Sequence, residues 1–253
     1  MKLAENNFKN SLQNKEQSYG IWNAIADTYV GEICAGAGYD WMVIDAEHGT
    51  FDYRSIIYQF QAVKSYNTHS ILRVPDSNPT FIKRILDTGV QNILVPMVET
   101  KEQAEKLVKS IQYPPEGIRG VAPAMARASL WGKIEQYNPE ANKQIALILQ
   151  IESVEGIKNL DSIVKVKGID CIFIGPSDLA SSMGYPGGIN HPNVKKVIIE
   201  AIETIRKNNL SAGILALTSE EVNFYKEAGA NMIGTAVDLL LLSTSVRSKA
   251  IRD

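Results

Sequence analysis

Short apolar runs alternate with amphipathic segments along most of this chain. One run, DWMVIDAEHG at 40–49, is apolar from Trp41 to Ile44 and then changes abruptly to Asp45, Glu47 and His48. Continuous apolar runs of this length are typical of strands buried in a parallel sheet. The pattern predicts eight strands, at 19–25, 41–46, 70–75, 92–98, 145–152, 170–175, 211–217 and 231–237.

The segments between the runs have the spacing of surface helices. PTFIKRILDTG and KEQAEKLVKSI are clear examples, and each ends near glycine or proline. Eight strand–helix units in about 250 residues are typical of a (β/α)₈ barrel. We therefore predict an α/β fold, a TIM barrel that forms a single domain over residues 1–253. The alternative is a doubly wound open sheet, which usually has fewer strands and a Gly-rich first turn that GIWNAIAD does not supply.

In such a barrel the chemistry lies at the carboxyl ends of the strands, which form its mouth. The charged residues after Ile44 are then explained, because the second strand delivers them to that mouth. Reading the other strands in the same way gives further candidates. The polar or aromatic residues at predicted strand ends are Trp22, Asn23, Asp45, Glu47, His48, Arg73, Glu99, Gln150, Glu152 and the turn Gly175-Pro-Ser-Asp178.

Two carboxylates, Glu152 and Asp178, end the neighbouring fifth and sixth strands. Converging carboxylates form a site for a hard cation, and two protein ligands would leave positions for water and substrate. This arrangement favours Mg²⁺ or Mn²⁺ over a closed zinc site. The alternative is that each carboxylate caps the helix that follows it.

Among the three histidines, His48 is the one at a strand end with carboxylates nearby, so we predict that it acts as an acid or base. His69 begins a strand at the opposite end of the barrel, and His191 precedes a helix. Arg73 follows ILRV, where its guanidinium can bind a substrate carboxylate or keto oxygen, or form an ion pair with Asp45 or Glu47. A structural role for His48 remains the alternative.

Two connections between predicted strands and helices are also candidates for a functional role. In the turn at 175–178, the backbone N–H groups at the start of a helix can bind a carboxylate, although the motif alone is weak. The segment at 112–132 is longer than a plain connection and rich in small residues, so it is expected to be a functional lid or a disordered loop. Arg119 and Arg127 in this segment are expected either to reach substrate or to lie on the surface.

Composition and charge indicate which classes of molecule this protein binds and in which compartment it is expected. The formal net charge of the 253 residues is -2, which argues against nucleic acid or anionic lipid as a partner. Neither a signal peptide nor a membrane-spanning run is apparent, so we expect a cytoplasmic protein. Cys34 and Cys171 form no CxxC pair and are expected to be buried thiols in a reducing compartment.

Together these motifs resemble the HpcH/HpaI aldolase family, the class II metal-dependent pyruvate aldolases. The resemblance covers nearly the whole chain. It is carried by DWMVIDAEHG, QNILVPMVET, YPPEGIRGV, LQIESVEGIKNLDSI and GIDCIFIGPSDLASSMGYPG. The family commonly has GEHAPN where this chain has 46–51, and VGVD where it has 235–238, and both changes touch the expected pocket.

The resemblance implies a role for each matching position. Glu152 and Asp178 match the metal ligands, for Mg²⁺ or Mn²⁺ with Co²⁺ as an alternative, and His48 matches the base. Arg73 matches the arginine at the keto or enolate oxygen. The remaining matches are Asp45 and Asp87, which support the histidine, Gln150, Gly175, Pro176 and Ser177, which contact pyruvate, and Trp22 and Leu215, which line the pocket.

The expected reaction is cleavage of a 4-hydroxy-2-keto acid to pyruvate and an aldehyde through a metal-stabilised enolate, or the reverse condensation. The resemblance also implies a homohexamer whose last helix exchanges between barrels. Two other classes stay open. One is a related acyl-CoA lyase, which should carry a basic track for nucleotide phosphates, and the other is a non-catalytic barrel, which the many polar strand ends disfavour.

Overall fold

The eight predicted strands form a closed parallel barrel in the computed structural model, which describes residues 1–250. Each strand pairs with the next one along the chain, and β8 closes the barrel by pairing with β1. The predicted TIM barrel is therefore confirmed. Residues 251–253, the end of the predicted domain, lie outside the described residues. The strands are β1 (Ser18–Asn23), β2 (Trp41–Asp45), β3 (His69–Arg73), β4 (Asn92–Val95), β5 (Ala146–Ile151), β6 (Cys171–Ile174), β7 (Ser211–Leu215) and β8 (Met232–Val237).

Helices surround the barrel and connect consecutive strands. Several begin with a capping box, in which the side chains of the cap and of the third helical residue satisfy each other's backbone N–H groups. The helices are α1 (Asn7–Asn14), α2 (Thr28–Ala35), α3 (Tyr53–Ala62), α4 (Pro79–Asp87), α5 (Lys101–Ile111), α6 (Tyr137–Ala141), α7 (Val154–Lys158), α8 (Leu160–Ile163), α9 (Pro176–Ser182), α10 (Pro192–Lys207), α11 (Ser219–Glu227) and α12 (Asp238–Lys249). Three-residue 3₁₀ helices occupy Val63–Ser65, Arg127–Ser129 and Asn142–Gln144.

The apolar core has two layers. The outer layer lies between the strands and the helices, and it holds residues such as Ile44, Leu72 and Ile174. The inner layer fills the barrel itself with Trp41, Phe173 and smaller neighbours. A filled interior is normal for an eight-stranded barrel, and it leaves the mouth as the place where polar groups gather.

Helix α1 closes the amino end of the barrel, and the sequence pattern did not predict it. Its Phe8 and Leu12 are buried in the inner layer of the core. Lys9 forms an ion pair with Asp170, just before β6, with 2.7 Å between Nζ and Oδ2. The hydroxyl of Ser211, at the start of β7, donates to the Leu12 carbonyl at 2.6 Å. Helix α1 therefore acts as a plug beneath the barrel interior.

Strand β4 ends earlier than predicted, at Val95 instead of 98. Met97 has φ of 53°, which is the left-handed region that a non-glycine residue rarely adopts. This conformation ends the extended run and directs the Met97 N–H to Glu152 Oε1, at 2.9 Å. The pattern of apolar residues continues through 98, so the end of the strand could not be read from it.

The long segment at 112–132 lies away from the mouth, so the expectation of a lid over this chain's own site is wrong. It connects α5 to β5, and connections from a helix to the next strand lie at the amino end of a barrel. Nor is the segment structureless, because it includes the 3₁₀ helix Arg127–Ser129 and packs Tyr113 against Tyr137 of α6.

Both cysteines are free and buried, as expected. Burial raises the pKa of the Cys34 thiol to about 11, and Asp238 adds to the rise. Burial raises the pKa of the Cys171 thiol further. Among residues 1–250, no helix is both long and apolar enough to cross a membrane.

Replacement of Phe8 by alanine should destabilise the barrel by about 3–5 kcal/mol, because it opens a cavity beneath the inner core. Phe8 is 1% exposed. The free energy of unfolding, measured in urea, is the readout. Phe60→Ala is the matched control, since Phe60 is only partly buried. Equal losses for the two variants would show that α1 does not seal the barrel.

Candidate active site

The mouth of the barrel is organised around an ion pair between Asp45 and Arg73. These residues end β2 and β3 and lie opposite each other in the register of the sheet. The guanidinium binds the carboxylate through two hydrogen bonds, from Nε to Oδ1 at 2.8 Å and from Nη2 to Oδ2 at 2.5 Å. Both residues are buried, so the pair is a fixed, desolvated contact. The predicted ion-pair role of Arg73 is therefore present.

Asp45 also shapes the loop that follows β2. Its Oδ1 accepts hydrogen bonds from the backbone N–H of Glu47 at 3.1 Å and of His48 at 3.3 Å. The expectation was that Asp45 supports the histidine. Asp45 does so through the His48 backbone, and within residues 1–250 no hydrogen bond joins Asp45 to the imidazole.

Glu47 lies between the arginine and the histidine. Its Oε2 is 2.8 Å from Arg73 Nη1 and 3.9 Å from His48 Nε2. Burial raises the pKa of the Glu47 carboxyl; Arg73 opposes the rise, and Glu152 adds to it. Sequence analysis named Asp45 and Glu47 as alternative ion-pair partners of Arg73, and in the structure both carboxylates contact the guanidinium.

His48 projects from the loop into the mouth. Its side chain is 70% exposed, whereas that of Glu47 is 16% exposed. The other histidines lie where they were predicted. His69 is the first residue of β3 and packs on Phe8 at the amino end, and His191 caps α10. His48 is thus the histidine that solvent and a ligand at the mouth can reach.

Glu152 is held in a fixed orientation just after β5. It is 3% exposed, its Oε1 accepts from the Met97 N–H, and its Oε2 accepts from Gln150 Nε2 at 2.5 Å. Burial raises the pKa of the Glu152 carboxyl. The bonds from Met97 and Gln150 oppose this rise, and the negative charge of Asp178 adds to it. Oε1 of Gln150 is buried and has no partner within residues 1–250, so it can accept a hydrogen bond from a ligand.

Asp178 lies in the first turn of α9, just after β6. Helix α9 starts with Pro176 and has no side-chain cap, and both Ser177 and Asp178 are exposed. Gly175 allows Glu152 to approach, because a Cβ on Gly175 would lie 2.3 Å from Glu152 Oε2. The predicted turn therefore brings the Asp178 carboxylate and the exposed start of a helix beside Glu152.

The other side of the mouth is apolar. Trp22 of β1 packs on Phe173, with ring centroids 5.3 Å apart, and the Arg73 guanidinium lies 5.5 Å from the Trp22 ring centroid. Leu215 of β7 packs against the same inner cluster. The two residues predicted to line the pocket thus belong to the apolar packing of the barrel interior, with Trp22 beside Arg73.

Asp87 does not lie at this mouth. Helix α4 runs from the mouth to the amino end, and Asp87 is its last residue. Its Oδ1 accepts from Arg119 Nη2 at 2.9 Å, and within residues 1–250 no contact joins it to His48. The expectation that Asp87 supports His48 is therefore not met inside one chain.

The two arginines of the long segment do not lie at the mouth of their own barrel. Arg119 is 1% exposed and stacks on Tyr113, with 4.3 Å from its Cζ to the ring centroid. Arg127 is partly exposed and donates from Nη1 to the Thr88 carbonyl at 2.6 Å. The expected surface position is therefore wrong for Arg119, and within one chain neither arginine reaches the candidate site.

The donor set at the mouth suits a hard cation. Within residues 1–250, no three His, Cys, Asp or Glu side chains converge as a metal-binding group, and the sequence had predicted a pair. Glu152 and Asp178 provide oxygen donors. Burial is the main cause of the raised pKa of Glu152, and the charge of Asp178 adds to the rise, so a divalent ion would stabilise the two ionised carboxylates. The residues therefore fit Mg²⁺ or Mn²⁺.

A parallel barrel with paired carboxylates, an arginine and an exposed histidine at its mouth defines a (β/α)₈ enzyme class. Residues 18–245 match the family model described as HpcH/HpaI aldolase/citrate lyase, and the chain belongs to this family. The predicted family is confirmed.

Relatives extend over almost the whole chain. It is 44% identical to a hydroxypyruvate/pyruvate aldolase of Roseobacter denitrificans, over 98% of this chain and 96% of the relative. It is 40% identical to a 4-hydroxy-2-oxo-heptane-1,7-dioate aldolase of Escherichia coli, over 98% and 95%. A crystal structure of an HpcH/HpaI aldolase/citrate lyase family protein from Burkholderia cenocepacia superimposes with a TM-score of 0.92 at 34% identity, over 96% of this chain and 97% of that one.

Replacement of Gly175 by alanine should displace Glu152, because the added Cβ cannot fit 2.3 Å from its carboxylate oxygen. Mn²⁺ affinity should fall roughly ten- to a hundredfold, the range that loss of support around a metal ligand usually costs. Titration of Mn²⁺ by electron paramagnetic resonance measures it. Ser181→Ala, on the exposed side of α9, is the control and should bind Mn²⁺ as the unaltered protein does. Unchanged affinity in Gly175→Ala would contradict a role for Glu152 as a ligand.

Proposed function

We propose that this protein is a metal-dependent pyruvate aldolase, which cleaves a 4-hydroxy-2-keto acid of the 2-keto-3-deoxy type to pyruvate and an aldehyde. The observation that carries the proposal is the placement of Glu152 and Asp178 beside Arg73 and His48 at one barrel mouth. The names of the relatives support the same reaction class. The two small molecules are the expected partners, and neither nucleic acid nor a membrane is needed.

Glu152 and Asp178 would hold the cation, for which Mg²⁺ or Mn²⁺ is the natural choice and Co²⁺ an alternative. When bound, the cation supplies Lewis-acid stabilisation of the negative charge that develops on the keto oxygen of pyruvate. The exposed turn at 175–178 and Gln150 would contact the carboxylate end of the keto acid. Trp22 and Leu215 would enclose its carbon chain, because they form the apolar side of the mouth.

His48 would accept the proton of the C4 hydroxyl. The C4 oxygen then forms the aldehyde carbonyl, the C3–C4 bond breaks, and its electron pair moves into the enolate of pyruvate. Arg73 would stabilise the enolate oxygen, since its guanidinium is already oriented by Asp45 and has little freedom to lose. Protonation of C3 completes pyruvate. In condensation the same groups act in the reverse order.

The first test is release of pyruvate from a panel of 4-hydroxy-2-keto acids, which also identifies the aldehyde. Chelation should abolish activity, and Mg²⁺, Mn²⁺ or Co²⁺ should restore it. Glu152→Gln and Asp178→Asn should each lower turnover by more than about a hundredfold, because even groups that only support a metal ligand cost ten- to a hundredfold. Both variants should keep the circular dichroism of the unaltered protein.

A lysine imine is the competing route to the same products. The eight strands of the barrel contain no lysine within their described bounds. Incubation with pyruvate and borohydride should therefore leave activity intact and add no mass to any lysine. A pyruvyl adduct with loss of activity, or full activity of both carboxylate variants in metal-free buffer, would refute the proposal.

We further propose that the active assembly is a homo-oligomer, and by family resemblance a hexamer that exchanges its last helix. Helix α12 exposes a run of apolar side chains, Leu239, Leu240, Leu241, Leu242 and Val246, each between 46% and 61% exposed. Tyr29 and Ile33 of α2 are also exposed, at 75% and 64%. Contiguous exposed apolar surfaces of this kind usually mark an interface. A cytoplasmic location agrees with the two free thiols.

An assembly also gives Asp87 access to a histidine. Its carboxylate is 26% exposed at the amino end of its own barrel, so its proposed support of His48 requires the mouth of a neighbouring subunit. His48→Ala and Asp87→Asn should each be weakly active, and a mixed assembly of the two should recover about a quarter of the unaltered activity if subunits mix at random. If Asp87 acts within its own chain, or has no role at the histidine, the activity of the mixture will be only the average of the activities of the two variants.

A further inference from the structure

Glu47 is a charged side chain of the mouth to which the proposed reaction assigns no role, although it contacts Arg73 as sequence analysis allowed. Its Oε2 is 2.8 Å from Arg73 Nη1 and 3.9 Å from His48 Nε2. The same carboxylate oxygen thus has the proposed enolate-stabilising group on one side and the proposed base on the other. It contacts the first and stands just beyond hydrogen-bond distance of the second.

The two carboxylates that flank Arg73 are held very differently. Asp45 accepts two aligned hydrogen bonds from the guanidinium and two more from backbone N–H groups. Glu47 is close to Nη1, but the contact is not aligned as a hydrogen bond, and its buried Oε2 has no hydrogen-bond partner within residues 1–250. A buried carboxylate oxygen without a hydrogen bond is unfavourable. Glu47 is therefore held less firmly by Arg73 than Asp45 is, and it is the carboxylate that a ligand can displace.

A keto acid that uses Arg73 must compete for the Nη1 edge, because Asp45 occupies the Nε and Nη2 edge. Once an anionic ligand is there, Glu47 faces negative charge from the ligand, from Asp45 at the end of β2 and from Glu152 just after β5. The other group near Glu47 that can become a cation is His48. A shift of about 1 Å would bring Oε2 to hydrogen-bond distance of Nε2.

We propose that Glu47 exchanges Arg73 for His48 when the 2-keto acid binds, and so becomes the carboxylate that stabilises the protonated imidazole. Glu47 is a positioning residue in this scheme, since it acts through His48 and Arg73 and donates no proton of its own. Binding of substrate would then both free the guanidinium edge and increase the basicity of His48. The inference rests on the proposed aldolase reaction.

The exchange makes opposite predictions for binding and for turnover. In the free enzyme Glu47 competes with substrate for Arg73, so Glu47→Gln should leave KM unchanged or lower it. In the complex Glu47 raises the basicity of His48, so the same change should lower kcat by roughly tenfold, less than the 10²–10⁴-fold usually lost with an acid or base group itself. Without the carboxylate beside it, the protonated imidazole should be less stable in the complex, and the acidic limb of the kcat profile should move to lower pH.

The experiment compares the unaltered enzyme with Glu47→Gln, Glu47→Asp and Glu155→Gln, using 4-hydroxy-2-oxoheptanedioate and saturating Mn²⁺ across the pH range. Glu155→Gln is the control for charge, because Glu155 is exposed in the first turn of α7 and pairs with Lys158. It should match the unaltered enzyme. Glu47→Asp keeps the charge but shortens the reach to His48, so it should lose kcat as Glu47→Gln does.

A rise in KM at unchanged kcat, or an acidic limb that does not move in either Glu47 variant, would overturn the exchange. Circular dichroism and the oligomeric state identify a variant that has not folded, and the other variant then decides. Failure of the reaction itself is distinguishable. If the proposed reaction is wrong, the unaltered enzyme will show no metal-dependent release of pyruvate. If the unaltered enzyme is active but the Glu47 variants have the same kcat, KM and pH profile as Glu155→Gln, only the inference about Glu47 is rejected.

Discussion

The bidentate ion pair between Asp45 and Arg73 is the contact on which the geometry of the mouth depends. It joins two neighbouring strands at their carboxyl ends and orients the guanidinium. The same carboxylate holds the backbone of Glu47 and His48, so one side chain sets both the arginine and the loop that carries the histidine. Removal of one partner from a buried pair typically costs about 3–5 kcal/mol, because it leaves an uncompensated charge.

Around this pair the mouth gathers more negative charge than it can neutralise by itself. Glu47 and Glu152 lie near Arg73, and Asp178 lies near Glu152. Burial is the main cause of the raised pKa of both glutamates, and neighbouring carboxylates add to the rise. A divalent cation would relieve this repulsion, and a keto acid would then find a local positive charge on a protein whose overall net charge is -2. The left-handed Met97 is part of the same arrangement, since its conformation orients Glu152.

The two ends of the barrel differ in polarity and in how they are closed. The mouth carries the charged side chains of the candidate site, whereas α1 closes the amino end. Arg119 of the long segment is buried on the amino side of the barrel. Helix α12 exposes a run of leucines, and the long segment between α5 and β5 also exposes apolar side chains, among them Met125 and Trp131. A single chain therefore leaves apolar surface open both on α12 and on the long segment.

The sequence by itself determined the barrel and the neighbourhood of the two carboxylates proposed to hold a metal. Each strand pairs with the next along the chain, so local apolar patterns and their order were enough to place Glu152 beside Asp178 and Asp45 beside Arg73. Only the tertiary structure decided the rest. The docking of α1, the burial of Arg119 and the position of Asp87 at the amino end depend on residues far apart in sequence. That Arg73 contacts both Asp45 and Glu47, which sequence analysis had offered as alternatives, depends on the directions of the side chains. Hydrophobic periodicity records which face of an element is buried, but it does not record which partner meets that face.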